Sequence, residues 1–185
     1  MKKLSFLFLA ITFITFSFSA CHNKQQKDTS SPEVEEETST PDSTVYGVCG
    51  ENTAMHTLEL ITDAGDTLQY MFGEGDEDPV VGGLLAGDRI AVVPGPTVDG
   101  DKTAKKIINL TTLLGKWTSL DKNFEIEEGG VVESHVEAEK DPWTSWKILN
   151  GKLVLNRDTF DIDNLGSDSL YLENKDGIFV YKRAK

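Results

Sequence analysis

Asn150-Gly151-Lys152-Leu153-Val154-Leu155-Asn156, continued by Arg157-Asp158-Thr159-Phe160-Asp161-Ile162-Asp163, decides the fold. Asn150-Gly151 reads as a two-residue hairpin turn, because both residues tolerate the positive φ that such a turn demands. In the strand after it, Leu153 and Leu155 share a face. Beyond the next turn, Arg157-Asp158, Phe160 and Ile162 point one way while Asp161 and Asp163 point the other. Strict period two puts one face in a core and the other in water. The segment is therefore antiparallel sheet made of tight hairpins.

The same pattern runs outward in both directions. Ser169-Leu170-Tyr171-Leu172-Glu173 again sets two leucines on one face. Turn signals at Glu128-Gly129-Gly130, Asp141-Pro142, Gly166-Ser167 and Asp176-Gly177 divide the rest. They predict eight strands, at 116–120, 124–127, 131–137, 144–148, 152–156, 159–165, 169–173 and 178–183. Consecutive hairpins with nothing between them form a meander. Even spacing favours closure into an up-and-down barrel, which leaves no exposed edges.

Upstream, residues 45–110 predict five more strands, at 45–49, 55–62, 67–72, 89–93 and 104–110. Asp63-Ala64-Gly65-Asp66 joins the second and third as a hairpin. Pro94-Gly95-Pro96 is expected to end the fourth, since proline cannot continue a ladder. Residues 79–85 are the one place where a short helical turn is expected. No window carries a sustained helical period, so the fold class is all-β. The expected division is 1–20 leader, 21–44 tether, 45–110 small five-stranded barrel and 111–185 eight-stranded barrel.

Leu114-Gly115-Lys116-Trp117 resembles the Gly-x-Trp motif that opens lipocalin-like barrels. The resemblance implies that Trp117, entered through Gly115, closes the barrel bottom. It also implies that a basic residue of the last strand, Arg183 or Lys182, packs over the indole as a cation–π pair. The stretch from about 112 to 185 is similar to the compact lipocalin-like domains of Gram-negative lipoproteins. Residues 45–110 resemble an OB-like barrel, with Gly87-Asp88-Arg89-Ile90-Ala91-Val92 as a Gly-Asp turn entering a strand. This pairing resembles envelope-stress lipoproteins linked to copper resistance and adhesion sensing. Their domain order differs and their Cys-x-x-Cys is absent here, so a copper or redox role is not implied.

The chain opens Met1-Lys2-Lys3, then an apolar run to Phe18, then Ser19-Ala20-Cys21. A basic start, an apolar middle and small residues before a break mark a secretory signal. Cysteine directly after Ser-Ala resembles a bacterial lipoprotein signal. That resemblance implies cleavage before Cys21 and lipid on its thiol. His22-Asn23, without an Asp after the cysteine, favours the outer membrane over inner-membrane retention. Residues 21–44 have almost no apolar side chains and cannot offset their ordering entropy. As a tether they would span roughly 25 Å on average and about 75 Å at full stretch.

The chain carries a net charge of −13, and removing residues 1–20 takes away Lys2 and Lys3 and leaves −15. That excludes nucleic acid as an expected partner, because phosphate binding needs clustered Lys and Arg. It also leaves lipidated Cys21 as the expected link to the bilayer. Cys49 has no partner for an intramolecular disulfide once Cys21 carries lipid, and it reads as a buried thiol. His22, His56 and His135 are scattered, so no metal site and no cofactor are expected. Acidic loops at Asp76-Glu77-Asp78 and Asp99-Gly100-Asp101 lack the spacing of an EF-hand.

No nucleophile–base set or phosphate-cradling loop stands out, and the chain does not read as an enzyme. Trp143 and Trp146, three apart in an expected strand, would face opposite sides, one in the core and one at the barrel rim. Either is a candidate for a ligand mouth, since apolar and aromatic side chains line such sites. Short strands favour a barrel filled by its own side chains over a deep calyx. The expectation is a non-catalytic, lipid-anchored envelope protein that binds a small apolar ligand. The alternative is an interaction lipoprotein, a sensor or inhibitor, that presents filled barrels to an envelope protein.

Overall fold

The computed structural model describes residues 41–73, 78–137 and 139–184 of the 185-residue chain. Cys21, the leader and the tether up to residue 40 lie outside the described residues, as do Asp76 and Glu77. Residues Thr40–Lys185 form one compact unit.

Five strands close the first barrel: β1 (Val45–Cys49), β2 (Thr57–Thr62), β3 (Thr67–Met71), β5 (Arg89–Val98) and β6 (Asp101–Asn109). They lie in the order β3-β2-β1-β5-β6, and a parallel pairing of Met71 with Thr103 joins β6 back to β3. That is an OB-like circuit. A two-residue strand, β4 (Val80–Val81), runs parallel against β6. The interior is Cys49, Leu58, Leu60, Tyr70, Ile90, Val92, Ala104 and Ile107.

Two expectations for this half are corrected. Pro94-Gly95-Pro96 does not end its strand, because β5 continues to Val98. The β5–β6 register shifts between Val93 and Pro94 and again between Pro94 and Thr97. The prolines thus sit in irregularities, where proline is tolerated within a sheet. Residues 79–85 form no helical turn. Gly82 and Gly83 take φ of +95° and +73°, outside helical space, and Pro79 accepts from the Ile107 amide. The helix falls instead between the barrels, as α1 (Leu110–Leu113).

Asn109 explains that placement. Its Oδ1 caps α1 by accepting from the Thr112 amide at 2.9 Å. Its Nδ2 donates to Gly83 O at 3.0 Å and Asp88 Oδ2 at 2.6 Å. One buried amide thus ties the helix start to the Gly-Asp turn. An N-cap of this kind contributes about 1 kcal/mol, and breaking a buried network costs more than the cap alone.

The second barrel contains β7 (Gly115–Thr118), β8 (Asn123–Glu127), β9 (Val131–Ser134), β10 (Trp146–Leu149), β11 (Lys152–Leu155), β12 (Asp158–Leu165), β13 (Ser169–Asn174) and β14 (Gly177–Arg183). Every pairing is antiparallel, in the order β10-β11-β12-β13-β14-β7-β8-β9. The last strand therefore returns to the first. The remaining seam, β9 against β10, is bridged where Val131 meets Ser145 and the Val132 amide donates to Thr144 O. The barrel is antiparallel and nearly closed.

Alternation sorts the side chains as expected. Leu153, Leu155, Phe160, Ile162, Leu170 and Leu172 are buried, while Lys152 and Asp161 pair on the outer face at 2.6 Å. Asn150 and Gly151 take φ of +48° and +81°, the geometry of the two-residue turn. Gly151 also packs closely, since a Cβ there would lie 3.1 Å from Val93 Cγ2 of the first barrel. Asp42 and Ser43, assigned to the tether, dock on this turn. Ser43 N donates to Asn150 Oδ1 at 2.9 Å, and the Asn150 amide donates to Asp42 Oδ1 at 3.2 Å.

The barrels share apolar packing. Ala91, Ile108, Leu110 and Leu113 belong to the same buried cluster as the second barrel's interior, and Tyr46 donates to Ile148 O at 3.0 Å.

Candidate functional site: a cleft at the barrel mouth

The two ends of the second barrel differ because β14 meets β7 over a short length. Their register covers Lys182 with Thr118 and Arg183 with Trp117, and no further. At that end Trp117 is fully buried, and its indole N–H donates to Leu113 O at 2.9 Å. The Arg183 guanidinium lies 4.0 Å from the Trp117 ring centre. It donates to Leu114 O and Ser167 O, both at 2.7 Å, and to Thr112 O. Gly115 has φ +117°, and a Cβ there would stand 2.6 Å from Arg183 Nη1. Glycine before the tryptophan is thus what lets the guanidinium reach the carbonyls.

Towards its other end β14 has no such pairing with β7. Residues 177–181 and the turn 119–122 flank an open cleft of about 910 Å³. Trp143, Phe160, Phe179 and Tyr181 line it, packed edge to face on one another and on Phe124 beneath. Phe124 lies 5.1 Å from both Trp143 and Tyr181, and Trp143 lies 5.8 Å from Phe160. Such pairs contribute about 0.5–1.5 kcal/mol each beyond their burial. Trp143, Phe160 and Tyr181 belong to the same buried cluster as the rest of the barrel interior, so the cleft opens directly onto the core.

Charged and polar groups surround this aromatic wall, and two of them, Asp158 and Lys122, are held in place. The Trp143 indole N–H donates to Asp158 Oδ2 at 3.2 Å. The Lys122 ammonium sits 4.4 Å from the Trp143 ring centre and pairs with Glu139. Glu139 also accepts from the Ser134 hydroxyl at 2.5 Å. Lys122 first, and Ser134 with it, hold the Glu139 carboxyl below its ordinary pKa. Burial pushes the Tyr181 phenol up to about 12. Asp121, Asp141 and Asp176 complete the acidic lining, with Lys182 beside them.

Trp143 and Trp146 are not opposite sides of one strand. β10 starts at Trp146, and Trp143 precedes it in irregular chain. Asn156, at φ +54°, accepts from the Thr144 and Ser145 amides and fixes that stretch. Trp143 is buried in the cleft. Trp146 is half-buried, donates to Glu127 O at 2.7 Å, and lines a separate groove of about 460 Å³ with Tyr46 and Arg89. Arg89 is held there by two bonds to Asp63, at 2.5 and 2.7 Å.

Lys122, Asp158, Phe160, Phe179 and Tyr181 were not anticipated as site residues. The inward alternation of Phe160, Phe179 and Tyr181 is legible in sequence; their convergence at one barrel end is not.

Cys49 is a free, buried thiol beside Thr53 Oγ1 at 3.3 Å. His135 is brought together with Glu125 and Glu133, their ligand atoms within 4.8 Å of one another. Glu125 pairs in register with Glu133 across the β8–β9 hairpin, and His135 follows two residues on, a period-two signal centred on Gly129. The three can offer ligands to a divalent cation, although Lys116 already lies 3.4 Å from Glu125.

No family model, curated protein or solved structure matches this chain, so what the site does follows from its own geometry.

Proposed function

We propose that this is a lipid-anchored lipoprotein of the cell envelope, held at the outer membrane through Cys21, whose second barrel binds a small molecule with an apolar body. Binding is non-catalytic and needs no cofactor. The observation that carries this reading is the cleft of about 910 Å³ beside Trp143, Phe160, Phe179 and Tyr181. Its volume lies in the ordinary range for small-molecule sites, roughly 300–1,000 Å³, and aromatic walls are what such sites use.

Trp143 supplies the assay. Neutral apolar probes should shift the protein's tryptophan emission saturably and displace a fluorescent hydrophobic reporter. Trp143→Leu should weaken both responses, while Trp146→Leu, in the other groove, should leave affinity unchanged. Equal loss in the two variants, or no saturable binding, refutes the site. Labelling with a palmitate analogue checks the anchor: label on Cys21→Ala, or none on the wild type, refutes it.

A protein partner is the second reading. Leu120, Ile178 and Val180 flank the cleft and are exposed, Leu120 fully. An apolar cluster of this kind beside an open strand suits a partner surface.

A further inference from the structure

Resting on the reading of the cleft as a ligand site, we infer that its ligand is an amphiphile or aromatic with a basic amine, not an anion such as a fatty acid. Three separate observations converge on that class.

The first is charge. Asp121, Asp141, Asp158 and Asp176 line the cleft, and among the described residues none of them enters an ion pair. Lys122 and Lys182 are the cations of the lining, and Lys122 is already engaged by Glu139. The lining is therefore short of positive charge. A carboxylate or sulfate head entering here meets like charge, whereas an ammonium finds carboxylates that no described cation pairs with. Sign complementarity of this kind sets which partner is rejected as well as which is drawn in.

The second is the indole of Trp143. A resident ammonium, that of Lys122, sits 4.4 Å from its ring centre. The indole N–H is bonded to a carboxylate, Asp158, which makes the ring more electron-rich. The ring quadrupole attracts a desolvated cation. The walls of this site thus favour positive charge over their aromatic surface as well as at their rim.

The third is the Tyr181 hydroxyl. The residue is 2% exposed and lines the cleft, yet its hydroxyl makes no hydrogen bond to any described residue. Among the described residues no fully buried polar side-chain atom is without a partner, so this oxygen retains access to the cleft that its ring lines. A hydroxyl so deeply placed is served from the cleft, by water or by a ligand group. An amine N–H can donate to it while the apolar body lies along Phe160 and Phe179.

The test is calorimetric titration of the purified protein with three ten-carbon probes below their aggregation limits: decylamine, decanol and decanoate. Decylamine should bind at least about tenfold tighter than decanoate. That ratio should shrink in 0.5 M salt, because rim charges are screened. Asp158→Asn keeps the acceptor for Trp143 but removes the charge, and should narrow the same ratio. Tyr181→Phe should weaken decylamine at least about tenfold, the worth of one hydrogen bond from a charged donor. If decanoate binds as tightly as decylamine, or if the ratio ignores salt and Asp158→Asn, the inference falls and the ligand site stands. If none of the three binds, both fall.

Discussion

Replacing Arg183 with alanine should destabilise the protein by about 3 kcal/mol. The magnitude follows from what the guanidinium holds. Two of its three bonds, to Leu114 O and Thr112 O, are partly buried, and the third, to Ser167 O, is exposed. Charge-assisted bonds contribute about 1.5–3 kcal/mol each when shielded, and an exposed carbonyl regains water when its donor is lost. The stacking on Trp117 adds about 1 kcal/mol. Returning the partly buried charge to water offsets some of this. The assay is equilibrium urea unfolding, read as a lower midpoint at unchanged slope.

Arg183→Lys keeps a charge but loses the planar fork, and should recover less than half of the lost stability. Gly115→Ala should cost about 2–3 kcal/mol, because φ +117° is strained for alanine and the new Cβ meets Nη1. In the Arg183→Ala background the clash is gone and only the strain remains. The double variant should therefore be more stable than the sum of the singles predicts, by at least about 1 kcal/mol. A loss below about 1 kcal/mol for Arg183→Ala, or strict additivity, would refute this account of the barrel base.

Acid should destabilise the fold below about pH 4. Arg89 holds Asp63, and Lys122 with Ser134 holds Glu139, below the ordinary carboxylate pKa. Their stabilisation is full above the unfolded values and lost as pH falls through the folded ones, so Asp63→Asn with Glu139→Gln should flatten thermal midpoints measured down that range. At the alkaline end Tyr181, raised to about 12 by burial, favours the folded state below the ordinary phenol pKa of 10.0 and loses that contribution as pH rises through the folded value. Tyr181→Phe should flatten the alkaline limb of the same melting curve. Cys49, buried and unpaired, should react with a thiol reagent only after denaturant is added; reaction at the native rate of an exposed thiol contradicts its placement.

The second barrel was the more legible half. Its eight strands follow from turn chemistry and alternation, which are local. Asn150-Gly151 names its own turn, and Phe160 and Ile162 name their face whatever lies elsewhere in the chain. Pro94-Gly95-Pro96 misled, because whether proline stops a strand depends on the partner's register, and β6 offers shifts that absorb it. Residues 79–85 misled for a related reason. Their strand exists only because β6 presents a parallel edge to Val80 and Val81. Trp143 and Trp146 were placed in one strand because spacing alone cannot show that Asn156 takes the Thr144 and Ser145 amides, so that the strand begins only at Trp146.

The sequence by itself determined an all-β protein with two runs of strands, the inward face of each strand and the glycine turns between them. Those properties depend on the side chains of neighbours and on the φ each residue tolerates. Only the tertiary structure decided that β3 and β6 close the first barrel in parallel, that both barrels share one buried cluster, and that β14 leaves β7 after Thr118. The physical reason is that strand order, closure and divergence are set by hydrogen bonds between segments far apart in sequence. The cleft beside Trp143 and Tyr181 is made by that divergence, so it is written in no single stretch of the chain.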